Sequence, residues 1–310
     1  MQTWSVRFGR ILALGSAGTM LTAACATAPA GPAAAHELDP AAVSRQTKVL
    51  LADGFDGTAL NRAVWTPEVS GTGNPVYNNE QQAYVDRPDV LAVRSGVPGA
   101  DGGALAVTAR YAKGAVTYGG HQYDITSARL NTEKKFQFTY GSVAARMKLP
   151  PYPGAWPAFW TLGATAGWPA GGELDVMENI GDPTWTSATA HSPRPGQDEQ
   201  VFSIDAEHRP AGFRADDWHV YRMDWTPSSV RFLVDEAVVR TVPRAEIEAT
   251  VPWVFDKPQF LLLNMAVGGD YPESVNHATV PYRGVPAATL TAIKKGAVTM
   301  YVDWVRVTQD

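Results

Sequence analysis

From position 49 onward, apolar residues come in short runs broken by Gly, Pro, Asp and Asn. Val49-Leu50-Leu51 opens the series. Positions 104–109, 141–149, 220–225, 230–234, 260–267 and 299–307 continue it. Each run is rich in β-branched or aromatic residues, which suit a pleated surface, and each is bounded by turn formers. Only Arg244–Glu248 reads as a helical turn. Strands that succeed one another without long helices predict antiparallel pairing. Several runs are apolar on both faces and need cover on both sides, which two stacked sheets supply. The expected fold class is all-β, a sandwich of two antiparallel sheets.

Between position 48 and position 310 there is no second linker and no internal repeat, so a single folded domain is expected over 48–310. Ahead of it, residues 26–47 read as an Ala- and Pro-rich tether. Residues 1–25 read as a targeting segment. Arg7 and Arg10 are followed by an apolar, small-residue stretch over 11–24, too short to span a membrane. It ends in Leu21-Thr22-Ala23-Ala24-Cys25, the pattern of a bacterial lipoprotein signal whose Cys becomes the lipidated N-terminus. Cys25 is the one cysteine of the chain, so it sits where such a signal needs it and leaves no disulfide to form. A soluble secreted protein cut near Ala26-Thr27-Ala28 is the other reading. Either way the protein is expected to be exported, and to meet a membrane only through a lipid anchor.

Composition narrows the function. Hydrophobic residues at 45% and charged residues at 18% describe a packed globular domain. The formal net charge of -5 lacks the basic footprint of a nucleic-acid binder. Ten Trp and eleven Tyr exceed what a core of this size needs. Aromatic faces stack on sugar rings, but they also fill sandwiches, so the count alone does not choose. No G-x-S-x-G elbow, H-E-x-x-H zinc pair or G-x-x-x-x-G-K-[ST] phosphate loop is present.

The informative stretch is Gly171-Gly172-Glu173-Leu174-Asp175-Val176-Met177-Glu178-Asn179. Three acids sit among Leu, Val and Met. Acids are costly on a buried strand unless they line a cleft or pair. Glycosidic cleavage needs such groups: one carboxylate at the anomeric carbon, and a second that holds a proton for the leaving oxygen. Close carboxylates push their pKa values apart, which separates the two roles. Glu173 and Asp175 share a face of a regular strand, whereas Glu178, five residues from Glu173, falls on the other. A β-bulge near Val176-Met177 would restore it, and the chemistry asks for one.

This run resembles the active-site signature of glycoside hydrolase family sixteen, in the bulged form of laminarinase-type endo-β-1,3-glucanases. Other segments match the family in the same order: Asp53-Gly54-Phe55-Asp56-Gly57, Asn78-Asn79-Glu80-Gln81, Thr126-Ser127-Ala128-Arg129-Leu130 and Trp156-Pro157-Ala158-Phe159-Trp160. His219-Val220-Tyr221 leading to Trp225-Thr226-Pro227, then Leu263-Asn264-Met265-Ala266-Val267-Gly268-Gly269 and Val302-Asp303-Trp304-Val305-Arg306-Val307, complete the set. The resemblance implies a β-jelly-roll with a concave cleft, a monomer acting on β-glucan with retention of configuration, and no cofactor needed for catalysis.

By matching positions, Glu173 is the expected nucleophile, Glu178 the acid/base, and Asp175 the residue that tunes the nucleophile. Trp168 and Trp156 are the expected sugar platforms. Trp160 shares a segment with Trp156, which suggests one ring toward the cleft and one toward the core. Asn78, Asn79 and Arg129 match sugar-contacting positions; turn chemistry for the Asn pair and a surface charge for Arg129 are the competing readings. His191 resembles a cleft His. Trp225 and Trp304 read as core or strand residues. Many members also bind a structural calcium. Asp303 matches one ligand, but Gly54 stands where a second acid is usual. The stretch 270–300 is longer than usual in the family and reads as a loop beside the cleft. A non-catalytic glucan-binding protein, a transglycosylase, and a hydrolase of mixed-linkage glucan or algal galactan are the alternatives on the same scaffold.

Overall fold

The computed structural model describes residues 47–72 and 76–309. The targeting segment, nearly all of the tether, and Cys25 lie outside the described residues. The elements run in chain order. First come β1 (Lys48–Asp53), β2 (Thr66–Glu68), β3 (Gln82–Tyr84), β4 (Leu91–Ser95), β5 (Gly103–Thr108), β6 (Arg110–Tyr118) and β7 (His121–Ser127). Next are β8 (Arg129–Asn131), β9 (Gly141–Lys148), β10 (Ala155–Gly163), β11 (Glu173–Glu178), β12 (Thr186–Arg194) and β13 (Gln197–His208). Then follow β14 (His219–Thr226), β15 (Ser229–Val234), β16 (Ala237–Pro243), α1 (Arg244–Glu248) and β17 (Gln259–Val267). Last are α2 (Asp270–Asn276), α3 (Ala287–Lys294) and β18 (Thr299–Gln309).

Two antiparallel sheets make the sandwich. One has the order β16-β15-β14-β9-β18-β5-β4, with β1 also paired to β18. The other has the order β13-β12-β11-β10-β17-β8-β2. A small third sheet, β3-β7-β6, stands beside them. Strand β9 shows why the first sheet has one wet face: Val143, Ala145 and Met147 are buried, and the residues between them are not. Strand β17 is buried at all nine positions. Its Leu261, Leu263, Met265 and Val267 join the main core, while Leu262, Asn264 and Ala266 face the other way. That double burial is the signature of a strand with core on one face and covered floor on the other.

Trp225 belongs to the core, fully buried, with its indole N–H donating to the Phe255 carbonyl at 2.9 Å. Trp304 is only half-buried. The stretch 270–300 departs from the loop reading, because it contains two helices besides the expected α1. Helix α2 starts behind Gly268 and Gly269, with φ of 64° and 97°, and stops at the left-handed His277. Its Pro, Ser, Val and Asn are poor helix formers, so the pattern alone hides it. Helix α3 follows Pro286 and buries Thr289, Leu290, Ala292 and Ile293. The Thr289 hydroxyl donates to the Pro153 carbonyl at 2.7 Å, fastening the insertion beneath the start of β10.

Candidate active site

Strand β11 lies inside its sheet, between β10 and β12. Gly172 opens it at φ +73°, and a Cβ there would meet Val254 and Phe255 at 2.7 and 2.8 Å. Only glycine combines that dihedral with that approach. Against β12, Asp175 pairs with Thr189 and Glu178 with Ser187, so three steps on β11 match two on its neighbour. Against β10, Met177 pairs with Phe159 and Asp175 with Trp160. Val176 is therefore the extra residue of a β-bulge. Leu174, Val176 and Met177 join the core, and Glu173, Asp175 and Glu178 are turned to the opposite face together.

Each acid has its own partners. The Trp168 indole N–H donates to Glu173 Oε2 at 2.6 Å, and that of Trp156 donates to Glu178 Oε1 at 2.8 Å. Asp175 hydrogen-bonds Glu173. His191 Nε2 stands 3.0 Å from Asp175 Oδ2, and its Nδ1 is 2.6 Å from the Ser203 hydroxyl. Burial pushes Glu173 up to about 8, with the Asp175 charge adding to it. Burial and then Glu178 hold Asp175 well above its usual range. Glu178 is also raised by burial, against the pull of the Trp156 N–H. Three carboxyls this close, Asp175 buried and the two glutamates half-buried, cannot all ionise.

The floor continues away from the acids through a polar network. Trp156 and Trp160 are four residues apart and so lie on the same strand face, not one in and one out. The Trp160 indole N–H donates to Asn264 Oδ1 at 2.7 Å. The Arg129 guanidinium lies 4.7 Å from the Trp160 ring centroid and 5.6 Å from that of Tyr77. It pairs with Glu68 at 3.1 Å, with both side chains nearly buried, so it is not a surface charge. Asn264 donates to the Tyr84 hydroxyl, and Tyr84 and Gln82 both donate to the buried Glu80. Glu68, Gln82, Tyr84 and Asn264 escaped sequence reasoning. A polar Asn inside the apolar run of β17 was the available signal.

Asn78, Asn79 and Asp303 each have partners within the protein. Asn78 and Asn79 have left-handed φ values of 50° and 53°. Asn79 gives its amide donors to Asp270 of α2 at 2.9 and 3.1 Å, and Asn78 hydrogen-bonds Glu80. These bonds hold the turn and the insertion. Asp303 lies in the other sheet. Its Oδ1 accepts the Asp101 N–H at 2.8 Å and its Oδ2 pairs with Arg146, which also donates to the Gly99 carbonyl. Asp53, beside Gly54, spends both oxygens on the Phe55 N–H and the Trp65 indole. Calcium takes six to eight oxygens. No group of three acids, His or Cys able to hold a metal occurs among the described residues, so the residues present do not fit a calcium site.

Comparison with known proteins agrees with this geometry. The family model of glycosyl hydrolases family 16 matches residues 98–284. A beta-glucanase of Rhodothermus marinus is 32% identical over 72% of this chain and 76% of its own length. Endo-1,3-1,4-beta-glycanase EglC of Rhizobium meliloti is 34% identical over 71% of this chain, which spans 44% of that longer relative. The laminarinase catalytic domain of Thermotoga maritima superposes with a TM-score of 0.69 at 32% identity, covering 85% of this chain and 98% of that one. This chain is a member of glycosyl hydrolases family 16.

Proposed function

We propose that the protein is an exported, retaining endo-glycosidase that hydrolyses internal β-1,3 linkages of β-glucans. The observation that carries this reading is the bulge in β11, which gathers Glu173, Asp175 and Glu178 on one face with an indole donor at each end. In the first step Glu173 attacks the anomeric carbon, and the glycosidic C–O bond breaks as Glu178 gives its proton to the leaving oxygen. Asp175, hydrogen-bonded to Glu173, orients its carboxyl group, and the carboxylate form of Glu173 makes the attack. In the second step Glu178 takes a proton from water, the water attacks the anomeric carbon, and Glu173 is released. No metal or organic cofactor takes part in these steps.

Digests of laminarin, lichenan and agarose, sized by chromatography, test the substrate. A ladder of short oligosaccharides from laminarin is expected, unchanged by excess chelator. Efficient cleavage of lichenan alone would replace this reading with mixed-linkage activity, in line with the endo-1,3-1,4-beta-glycanase of Rhizobium meliloti. Products from agarose alone would overturn it.

Trp168 is half-buried, and its indole reaches the nucleophile. Trp168→Ala is expected to weaken oligosaccharide binding at least about tenfold, as stacking platforms are worth roughly 1–3 kcal/mol each. The melting temperature should barely move. Calorimetric titration on the Glu173→Gln background reads the first effect and a thermal melt the second. Unchanged affinity with a large drop in melting temperature would make Trp168 a packing residue.

Export and anchoring are proposed from the targeting segment. Cys25→Ser should move the protein from the membrane fraction to the soluble one and alter its gel mobility. Membrane association that survives the substitution would rule out the lipid anchor.

A further inference from the structure

The insertion that follows β17 reaches back over the catalytic strand. Helix α2 is tied down at its first residue. The Asp270 N–H donates to the Asn78 carbonyl at 2.8 Å, and its carboxylate receives Asn79 and, at 3.1 Å, Arg283. Gly268 N–H donates to the Gly154 carbonyl at 2.8 Å, so the root of the helix is fixed to the start of β10. The next residue, Tyr271, is held against Trp156, ring centroids 5.4 Å apart and planes at 80°. Its phenol hydrogen-bonds Ser187 of β12, the residue paired with Glu178 across the sheet. Tyr271 thus spans from β17 to β12, above Trp156, whose N–H is spent on Glu178.

We propose that Tyr271 is a positioning residue for proton transfer: its ring fixes the Trp156 indole, and the indole fixes the Glu178 carboxyl toward the leaving oxygen. The inference rests on Glu178 being the acid/base. The geometry asks for it in three ways. An indole N–H can orient a carboxyl only if the ring cannot swing, and an edge-to-face neighbour removes that freedom. The Tyr271 phenol is itself anchored, so the brace is held at both ends. The Trp156 cluster, with Ile180, Trp185, Ala266 and Tyr271, is separate from the main core, so removing Tyr271 loosens this corner and leaves the sandwich intact.

Leaving-group dependence separates this role from a packing role. A dinitrophenyl β-glycoside departs without a proton, whereas a glucan needs one. Tyr271→Ala is expected to lower kcat/KM on laminarin about ten- to a hundredfold, part of what a general acid supplies, and to change it on the dinitrophenyl glycoside less than about threefold. Trp156→Phe, which keeps a ring but removes the donor, should show the same split. Tyr271→Phe, which keeps the ring on Trp156, should restore most laminarin activity. Equal losses on both substrates by Tyr271→Ala, or no loss on laminarin, would overturn the proposal. Glu178→Gln is the control: equal losses on both substrates there would instead overturn the acid/base assignment. Melting temperatures of all four variants identify any that fail to fold, and Tyr271→Phe against Trp156→Phe then decides.

Discussion

Replacing Glu173 by Gln removes nearly all turnover, on the order of ten-thousandfold, and leaves the fold intact. Loss of a single nucleophile from a cooperating set typically costs that much or more. The amide is nearly isosteric with the carboxyl, so no cavity opens in the cleft floor. It can still accept the Trp168 N–H, but it cannot attack the anomeric carbon. The substitution also has a stability signature. Burial raises Glu173 to about 8 from 4.5, so the folded protein binds more protons than the unfolded chain in that interval. Stability therefore falls as pH rises from 4.5 toward 8. Glu173→Gln removes this contribution. Its melting temperature should equal the wild type near pH 4 and exceed it increasingly toward pH 8. Turnover near the wild-type level, in enzyme free of wild-type contamination, would sink the nucleophile assignment. A melting temperature that falls relative to wild type as pH rises would sink the electrostatic account.

The core strands and the acids were legible because they obey local rules. Strands such as β9 and β15 follow from β-branched runs between turn formers, and each differs from expectation by one residue at one end. Glu173, Asp175 and Glu178 stood out because acids among Leu, Val and Met need a reason. The bulge was demanded by chemistry and not by pattern, since nothing in Val176-Met177 itself specifies an extra residue. What stayed hidden is long-range. The pairing of Asn79 with Asp270, 191 positions apart, makes Asn79 an anchor of α2. Tyr271 reads as a loop residue until Trp156 and Ser187 are seen around it. Asp303 reads as a calcium ligand until Arg146, from a neighbouring strand, occupies its carboxylate.

Arg129 is the residue whose removal should cost the fold most among those lining the cleft. Its guanidinium is nearly buried, with side-chain exposure of 11% against 12% for its partner Glu68. Burial alone would lower its pKa, and the charges of Glu68 and the nearby Glu80 more than offset that. Glu80 is itself raised by burial and held down by Gln82 and by Arg129. Arg129→Ala therefore strips a cation from beside two acids. Breaking a buried pair from one side costs about 3–5 kcal/mol, because the remaining charge is left uncompensated. Loss of the contacts with the Trp160 and Tyr77 rings adds roughly 0.5–2 kcal/mol. For a domain of this size the melting temperature should drop by about ten degrees at neutral pH. Replacing both partners, Arg129→Met with Glu68→Gln, should recover much of that loss, since no unpaired charge remains. Arg129→Lys should fall between, because an ammonium keeps the charge but not the planar guanidinium beside the Trp160 and Tyr77 rings. Thermal melts of the single and double variants measure the coupling directly. A drop of less than about 1 kcal/mol for Arg129→Ala, with no recovery in the double variant, would mean that the pair is solvated like an ordinary surface bridge.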